Sequence, residues 1–458
     1  MAIATINPST GETEQTYTPH TAAEVEEKIA RADAAFRALR STTYTERAAW
    51  MLAAAQLLED DVDIVADGIT REMGRPLAGA RAEALKCVKG MRFYAEHAEE
   101  FLADEPLADP SRVGASRALA RYQPLGVVLA VMPWNYPLWQ VIRFAAPALM
   151  AGNTGLLKHA SNVPLSALYL DTLFSRGGFP EGAFATLLIG SGEVAAVVED
   201  RRVRAITLTG SEPAGRAVAA TAAAQVKKSV LELGGSDPFI VMPSADLPAA
   251  IKTAVDARLV NAGQSCIAAK RFIVHDAVYE QFLAGFTEAM SNIVMGDPFA
   301  EATQLGPIST ESGRADLVEL VADAIAKGAS VRTGGAVPDG PGFFYPATVI
   351  ADVTPEMRLH REETFGPVAT VYRVHSVDEA VELANVTDFG LSSAVWTNDS
   401  AEQARFETEI EAGAVFVNGM TISYPELPFG GIKNSGFGRE LAAAGIREFC
   451  NLKTVWER

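Results

Sequence analysis

A chain of 458 residues is too long for one hydrophobic core and implies roughly two or three domains. Its apolar fraction of 48% and charged fraction of 21% are those of an ordinary globular protein, while a formal charge of −18 argues against binding nucleic acid or an anionic membrane. Cys87, Cys266 and Cys450 are too few and too scattered for a disulfide framework or a metal site, and MAIATINPSTGE lacks the basic segment and apolar core of a secretory signal, so a cytoplasmic protein is expected.

From Thr21 the chain reads helically. Val25, Ile29, Ala32, Phe36 and Leu39 recur at three- and four-residue steps, and Thr21 followed by Glu24 is a capping-box start. ERAAWMLAAAQLLED and RAEALKCVKGMRFYAEHAEEF predict two more helices, with Met91, Phe93 and Tyr94 as core. Between Gln123 and Ile142 no charged residue occurs over 20 positions, long enough for a membrane span. Pro124, Pro133, Pro137, Asn135 and Gln140 would leave too many unsatisfied polar groups in hydrocarbon. The pattern instead predicts a buried strand, LGVVLAV, a rigid PWNYP turn and a helix starting near Leu138. Asn135 on that turn either stabilises the turn or donates its amide to a developing oxyanion.

Strands and helices then alternate: NTGLLKHAS, the helix PLSALYLDTLFSRGG, then the strands AFATLLIG, RAITLTG and FIVM. This is the signature of a parallel nucleotide-binding sheet. Gly190, Gly192 and Ala195 match the short dinucleotide fingerprint G-x-G-x-x-A. A stronger phosphate site is LTGSEPAGR, where Gly210 and Ser211 end a strand and open a helix whose N-terminus would face an anion.

The stretch from Ser229 to Arg271 carries the chemistry. It opens with SVLELGGSDPFIV and closes with NAGQSCIAAKR. Cys266 is the candidate nucleophile, since a thiol is the side chain least handicapped at neutral pH; the alternative is a buried small hydrophobe. Gly263 and Gln264 just before it would allow close backbone approach. No histidine lies within eight residues of Cys266 to take its proton. Glu232, set among apolar residues and glycines that should raise its pKa, is the candidate base, unless it is salt-bridged to Lys227 or Lys228.

PWNYP, LTGS, LELGG, GQSC, EETFGPV and LPFGGIKNSGFGRE stand in the order and rough spacing of the NAD(P)-dependent aldehyde dehydrogenases, a resemblance that spans nearly the whole chain. LLKHASN and PWNYPLWQVIRF look most like the succinate-semialdehyde dehydrogenase branch. The resemblance implies an α/β fold: a Rossmann-type cofactor domain (1–105 and 125–233), an α/β catalytic domain (234–434) and a small β oligomerisation element (106–124 and 435–458) serving a homodimer or homotetramer. It implies that Cys266 attacks the aldehyde, that Asn135 and the Cys266 N–H hold the oxyanion, and that Glu232 activates the water that hydrolyses the thioester. The resemblance also places Trp134, Lys158, Gly210, Ser211, Leu233, Glu363 and Phe365 around the cofactor, with a plain turn before a strand as the alternative for Glu363 and Phe365, and makes Glu440 a distal proton relay, with helix capping or ion pairing as its alternative.

There are two departures from the family pattern. Many NAD-preferring members carry a glutamate three residues after the lysine; this chain has Ser161, so NADP is expected, with NAD possible. Where some semialdehyde dehydrogenases have a second cysteine after the nucleophile or an arginine before it, this chain has Ala268 and Val260. Arg143, eight residues after Asn135 on the helix that leaves the PWNYP turn, is similar to an arginine of those enzymes and is expected to bind the far carboxylate of succinic semialdehyde. Its alternative is a pair with a protein carboxylate. Glutarate semialdehyde and a coenzyme A-acylating reaction are the other readings.

Overall fold

Thr21 and Thr43 open the first two long helices by the same local chemistry. Each accepts a hydrogen bond from the N–H three residues on, while the glutamate there, Glu24 or Glu46, accepts the threonine N–H. The computed structural model describes residues 2–458. A hairpin of β1 (Ile3–Ile6) and β2 (Thr13–Tyr17) precedes four helices, α1 (Ala22–Leu39), α2 (Tyr44–Asp60), α3 (Val62–Met73) and α4 (Leu77–Phe101). The apolar pattern placed the starts of α2 and α4 two and four residues late and missed α3. Gly68, Asp63 and Asp67 weaken the helical signal of α3, but Val65, Ala66, Ile69 and Met73 pack inward, and Gly74 ends it in the left-handed region.

The first sheet then begins. β3 (Glu105–Pro106) and β4 (Arg117–Pro124) lead into β5 (Val127–Met132), α5 (Trp139–Ala151), β6 (Thr154–His159), α6 (Pro164–Arg176) and β7 (Phe184–Thr186). The chain continues through α7 (Val194–Glu199), β8 (Val203–Thr209), α8 (Glu212–Ala224) and β9 (Lys228–Glu232). β5 pairs in parallel with β6 on one side and β8 on the other, and β9 follows β8. Strand order therefore reverses beside β5, and parallel sheets open a ligand crevice beyond the carboxyl ends of the strands at such a switch. The turns after β5, β8 and β9 carry PWNYP, Gly210–Ser211 and Leu233–Gly234. The glycines of the G-x-G-x-x-A match lie instead beyond β7 at the sheet's edge, where the Glu193 side chain takes the Gly190 N–H.

The second sheet contains β10 (Pro238–Val241), α9 (Leu247–Leu259), β11 (Arg271–His275), α10 (Asp276–Ser291), α11 (Glu311–Ala326), β12 (Ser330–Thr333), β13 (Thr348–Ala351) and β14 (Val368–Val374). α12 (Val377–Asn385), β15 (Phe389–Gly390), β16 (Ser393–Trp396), α13 (Ser400–Glu409) and β17 (Val415–Val417) complete this region. Its strand order is β12-β13-β14-β11-β10-β16-β17, parallel except at β12. The chain ends with β18 (Ile432–Lys433), β19 (Gly436–Phe437), α14 (Ala442–Glu448) and β20 (Cys450–Glu457). β19 returns to the first sheet beside β9, and β20 pairs antiparallel with β4 from Cys450 opposite Pro124 to Glu457 opposite Arg117. No helix among the described residues is long and apolar enough to cross a membrane.

The uncharged segment is the strand, turn and helix that its prolines predicted. All of α5 is buried, and its first turn has no cap of its own. A buried helix start leaves N–H donors without partners. Glu83 of α4 supplies the acceptor, taking the N–H groups of Leu138 (2.9 Å) and Trp139 (3.0 Å) with one oxygen and Arg75 (2.5 Å) with the other. Replacing Glu83 with Ala strands two buried donors and a guanidinium, which should cost about 3 kcal/mol. The apparent Tm should fall by roughly 5 °C or more, with Glu83→Gln closer to the parent. Thermal unfolding of the three proteins checks this, and an unchanged Tm in the Ala variant would remove the capping role.

Candidate active site

Three left-handed residues in a row shape the loop that carries Cys266. Asn261, Ala262 and Gly263 have φ of 54°, 56° and 72°. Only Gly263 is free of steric penalty there, and a Cβ on it would lie 2.2 Å from the Gly366 carbonyl oxygen. Hydrogen bonds hold the strained turn. Arg258 donates to Gly263 O (2.8 Å), the Gln264 side chain accepts the Ser309 N–H (2.9 Å), and Lys270 donates to the carbonyls of Ser265 (2.8 Å) and Cys266 (2.6 Å). Gln264 thus anchors the loop, whereas the sequence reading had it, with Gly263, allow close backbone approach.

The same loop is tied to the turn after β5. The Asn135 side-chain amide donates to Gln264 O (3.1 Å), and Asn261 donates to Asn135 O (2.7 Å) and Gln264 O (3.0 Å). Asn135 and Cys266, 131 positions apart in sequence, are thereby fixed beside one another.

Cys266 stands where two cavities meet. The first, about 290 Å³, is lined by Asn135, Glu232 and Cys266. Trp134, Gly210, Ser211, Leu233, Glu363 and Phe365 complete the same wall, so six of the expected cofactor residues converge on it. Trp134 and Phe365 meet edge to face with centroids 5.8 Å apart. Ser211 caps α8 without a side-chain bond to the helix, which leaves N–H groups of the first turn for an anion. Glu363 accepts the Gly235 N–H (3.1 Å) and pairs with Lys270 (3.2 Å). Lys158 and Ser161 do not line this cavity. Lys158 sits at the end of β6 beside Val131 of β5, where burial alone lowers its pKa, so no nearby carboxylate holds it. The residues therefore fit a dinucleotide with an extra phosphate: apolar walls, free helix N–H groups and a buried cation.

Electrostatics link the base and the thiol. Burial raises the Cys266 pKa well above the ordinary range, and the charge of Glu232 raises it further. Burial also raises Glu232, opposed by Arg143 and by a hydrogen bond with the Cys266 thiol. The salt bridges considered from sequence are absent: Lys228 pairs with Glu448 (2.7 Å), and Lys227 donates to the carbonyl oxygens of Val198 and Asp200.

Arg143 has a different partner from the one expected. It is buried, donates to Glu232 (3.1 Å) and Thr209 (3.2 Å), contacts Glu440 through Nε, and lies over the Phe429 ring. A buried guanidinium needs an anion at all times, and the chain supplies two. Burial pushes Glu440 to about 7 against the opposing pull of Arg143. The second cavity, about 250 Å³, is lined by Cys266, Arg143, Tyr136, Phe429, Ser423 and Lys86. Sequence reasoning treated Lys86 as scaffold; the available signal was a lysine three residues after Glu83, on a helix face that turns inward.

The aldehyde dehydrogenase family model matches residues 1–455. The chain is 63% identical over 457 residues to a Mycobacterium avium protein named succinate-semialdehyde dehydrogenase (NADP(+)), covering 100% of this chain and 97% of that one. It is 61% identical over 456 residues to the Mycobacterium leprae protein of the same name, covering 100% of both. Its structure matches the succinic semialdehyde dehydrogenase of Streptococcus pyogenes in complex with NADP+ with a TM-score of 0.96 at 36% identity, covering 99% of both chains.

Because Glu232 holds the Cys266 pKa up, removing that charge should lower it. Alkylation of Cys266 by iodoacetamide should be slow at neutral pH and accelerate as the thiol ionises. In Glu232→Gln the rise should begin at lower pH. Mass spectrometry of the labelled peptide follows it, and superimposable profiles would show that the two groups are not coupled.

Proposed function

The chain belongs to the aldehyde dehydrogenase family, and on that premise we propose that it oxidises succinic semialdehyde to succinate with NADP. The observation that carries the reading is the position of Cys266 between two cavities, one suited to a dinucleotide and the other to a small aldehyde. The names of the full-length relatives support the substrate and cofactor.

The protein groups divide the work by position. Cys266 Sγ attacks the aldehyde carbon, giving up its proton to Glu232, and the developing oxyanion is held by the Asn135 amide and the Cys266 N–H. NADP, when bound, supplies the hydride acceptor. Once that first proton has been passed on toward Glu440 and solvent, Glu232, ionised again, takes a proton from the water that hydrolyses the thioester on Cys266. Transfer to coenzyme A instead of water would leave a raised, buried carboxylate beside the thioester with no task, which favours the hydrolytic reaction. Arg143 keeps Glu232 oriented and Glu440 within reach as a relay. Lys158 and Ser161 would hold the 2′-phosphate, the α8 N-terminus the pyrophosphate, and Glu363 the nicotinamide ribose.

The same reading assigns 1–105 with 125–233 to cofactor binding, 234–434 to catalysis, and 106–124 with 435–458 to oligomerisation in a cytoplasmic homodimer or homotetramer. Support for the last comes from β20, an edge strand exposing Leu452 and Trp456.

Cys266→Ser should abolish turnover. Glu232→Gln should form about one equivalent of reduced cofactor, more slowly than the parent because the thiol has lost its proton acceptor, and then stall, because deacylation has lost the base that activates water. With Glu232 raised above the ordinary carboxylate range, parent deacylation should increase with pH as that group ionises, and this limb should vanish in the Gln variant. Stopped-flow absorbance reads both; a Gln variant with the parent steady-state rate would remove Glu232 from the role.

The cofactor reading turns on charge. A serine hydroxyl can donate to a 2′-phosphate and an ammonium can pair with it, whereas a carboxylate repels it. The parent should use NADP at least as well as NAD, and Ser161→Glu should shift kcat/KM toward NAD. A parent that strongly prefers NAD would overturn the assignment.

A further inference from the structure

Lys270 lies immediately before β11 and is only 1% exposed. A lysine so buried must have its charge and its three N–H donors answered by the fold. The backbone there is pinned on both sides. Its N–H donates to Asp237 O (3.0 Å), and its carbonyl accepts the Thr370 N–H and the Thr370 hydroxyl, each at 3.0 Å. From this fixed base the side chain reaches back along the loop. It donates to Ser265 O (2.8 Å) and Cys266 O (2.6 Å), and pairs with Glu363 (3.2 Å). The glycines of LELGG make room for the cluster. A Cβ on Gly235 would lie 2.7 Å from Cys266 O, and one on Gly234 would lie 2.5 Å from Glu363 Oε2.

Neutralising a carboxylate does not account for these contacts. Among the described residues Asp237 makes no ion pair with Lys270, and its Oδ2 has no hydrogen-bond partner. The shortest bonds of the ammonium go instead to the two carbonyls that flank the Cys266 Cα. One of them matters chemically. The oxygen of Ser265 and the N–H of Cys266 belong to the same peptide group, and that N–H is the donor assigned to the oxyanion. A cation on the oxygen draws electron density through the amide and leaves the N–H more positive, as linked hydrogen bonds polarise one another in a site of low dielectric. The Ala268 N–H donates to the same oxygen (3.1 Å) and acts in the same sense.

We propose that Lys270 is a positioning residue for the oxyanion hole: bound to Ser265 O, its ammonium strengthens the Cys266 N–H as a donor and fixes the direction in which it points. This deepens the proposed function and rests on the oxyanion hole assigned there. The lysine acts through one peptide group and needs no contact with the substrate. Its bond to Cys266 O holds the next peptide as well, so the nucleophile is clamped from both sides by a single charge.

The test must separate this role from a simpler one. Burial and the charge of Glu232 raise the Cys266 pKa, while the charges of Arg143 and Lys270 oppose them. Losing the lysine therefore slows any reaction of the thiolate. Alkylation of Cys266 by iodoacetamide needs the thiolate alone, whereas its acylation by p-nitrophenyl acetate needs the thiolate and an oxyanion hole. Neither reaction uses NADP or an aldehyde, so a failure to oxidise succinic semialdehyde would sink the substrate reading and leave this comparison standing. Lys270→Gln and Lys270→Met, both uncharged, should slow both reactions. They should also lower the ratio of acylation to alkylation by about 10-fold, less than the roughly 100-fold of losing an oxyanion donor outright. Lys270→Arg, which keeps the charge, should recover part of the ratio. Nitrophenolate release and mass spectrometry of the labelled peptide give the two rates, and thermal unfolding shows which variants are folded. Should the Met variant not fold, the Gln variant, which retains side-chain donors, carries the test. Equal slowing of both reactions in the uncharged variants would show that Lys270 acts on the thiol alone and would overturn the proposal. A parent whose thiol is alkylated but never acylated would overturn it too, by removing the hole on which it rests.

Discussion

One guanidinium shared by two buried carboxylates is the constraint on which the site depends. Glu232, Arg143 and Glu440 lie 6% exposed or less, and none could be ionised there alone. Arg143 opposes the burial that raises both carboxylates, and so keeps Glu232 within reach of its ionised form. A carboxylate left wholly to desolvation would remain protonated and could take a proton neither from the thiol nor from water. One left wholly to an arginine in solvent would be too weak a base. The observed balance, burial first and one shared cation second, suits a group that must work near neutrality.

That cation is delivered by α5, which also fixes Asn135. The turn before the helix carries the asparagine, the second turn carries the arginine, and Glu83 holds the helix start from below. The absence of charge across Gln123–Ile142 now has a physical reason. Its strand and helix are buried almost throughout, and the one charge just beyond it, Arg143, is met there by Glu232 and Glu440.

Much of this was legible in the sequence, because it is local. The Thr21 capping box, the alternation of strands and helices, and the strand–turn–helix parse of PWNYP depend on neighbouring residues, and the structure contains them. The pairing of Cys266 with Glu232 followed from what else was missing near the thiol. Non-local facts were out of reach. The register of β20 on β4 joins segments separated by most of the chain, and neither strand says which edge it seeks. Arg143 was read correctly as a buried cation in need of an anion but given a ligand as that anion, since Glu440 is brought to it only by the fold. Lys86 was passed over for the converse reason: on a helix rich in charge nothing marks one lysine as unpaired until the neighbouring elements are placed.

The distinction between paired and unpaired cations also resolves a difficulty raised by composition. A protein with a formal charge of −18 repels anions at a distance, yet the proposed reaction needs a dinucleotide phosphate and a substrate carboxylate. Arg75, Arg143 and Lys270 carry their own carboxylates and hold the scaffold rigid. Lys158 and Lys86 carry none, and burial lowers both, Lys158 on β6 beside β5 and Lys86 on the wall of the second cavity. A buried cation without a carboxylate is a cost that folding alone does not offset. On the proposed reading the dinucleotide offsets it at Lys158, so that binding is strongest where the protein by itself is least satisfied, and specificity for that anion arises locally against the field of the whole molecule.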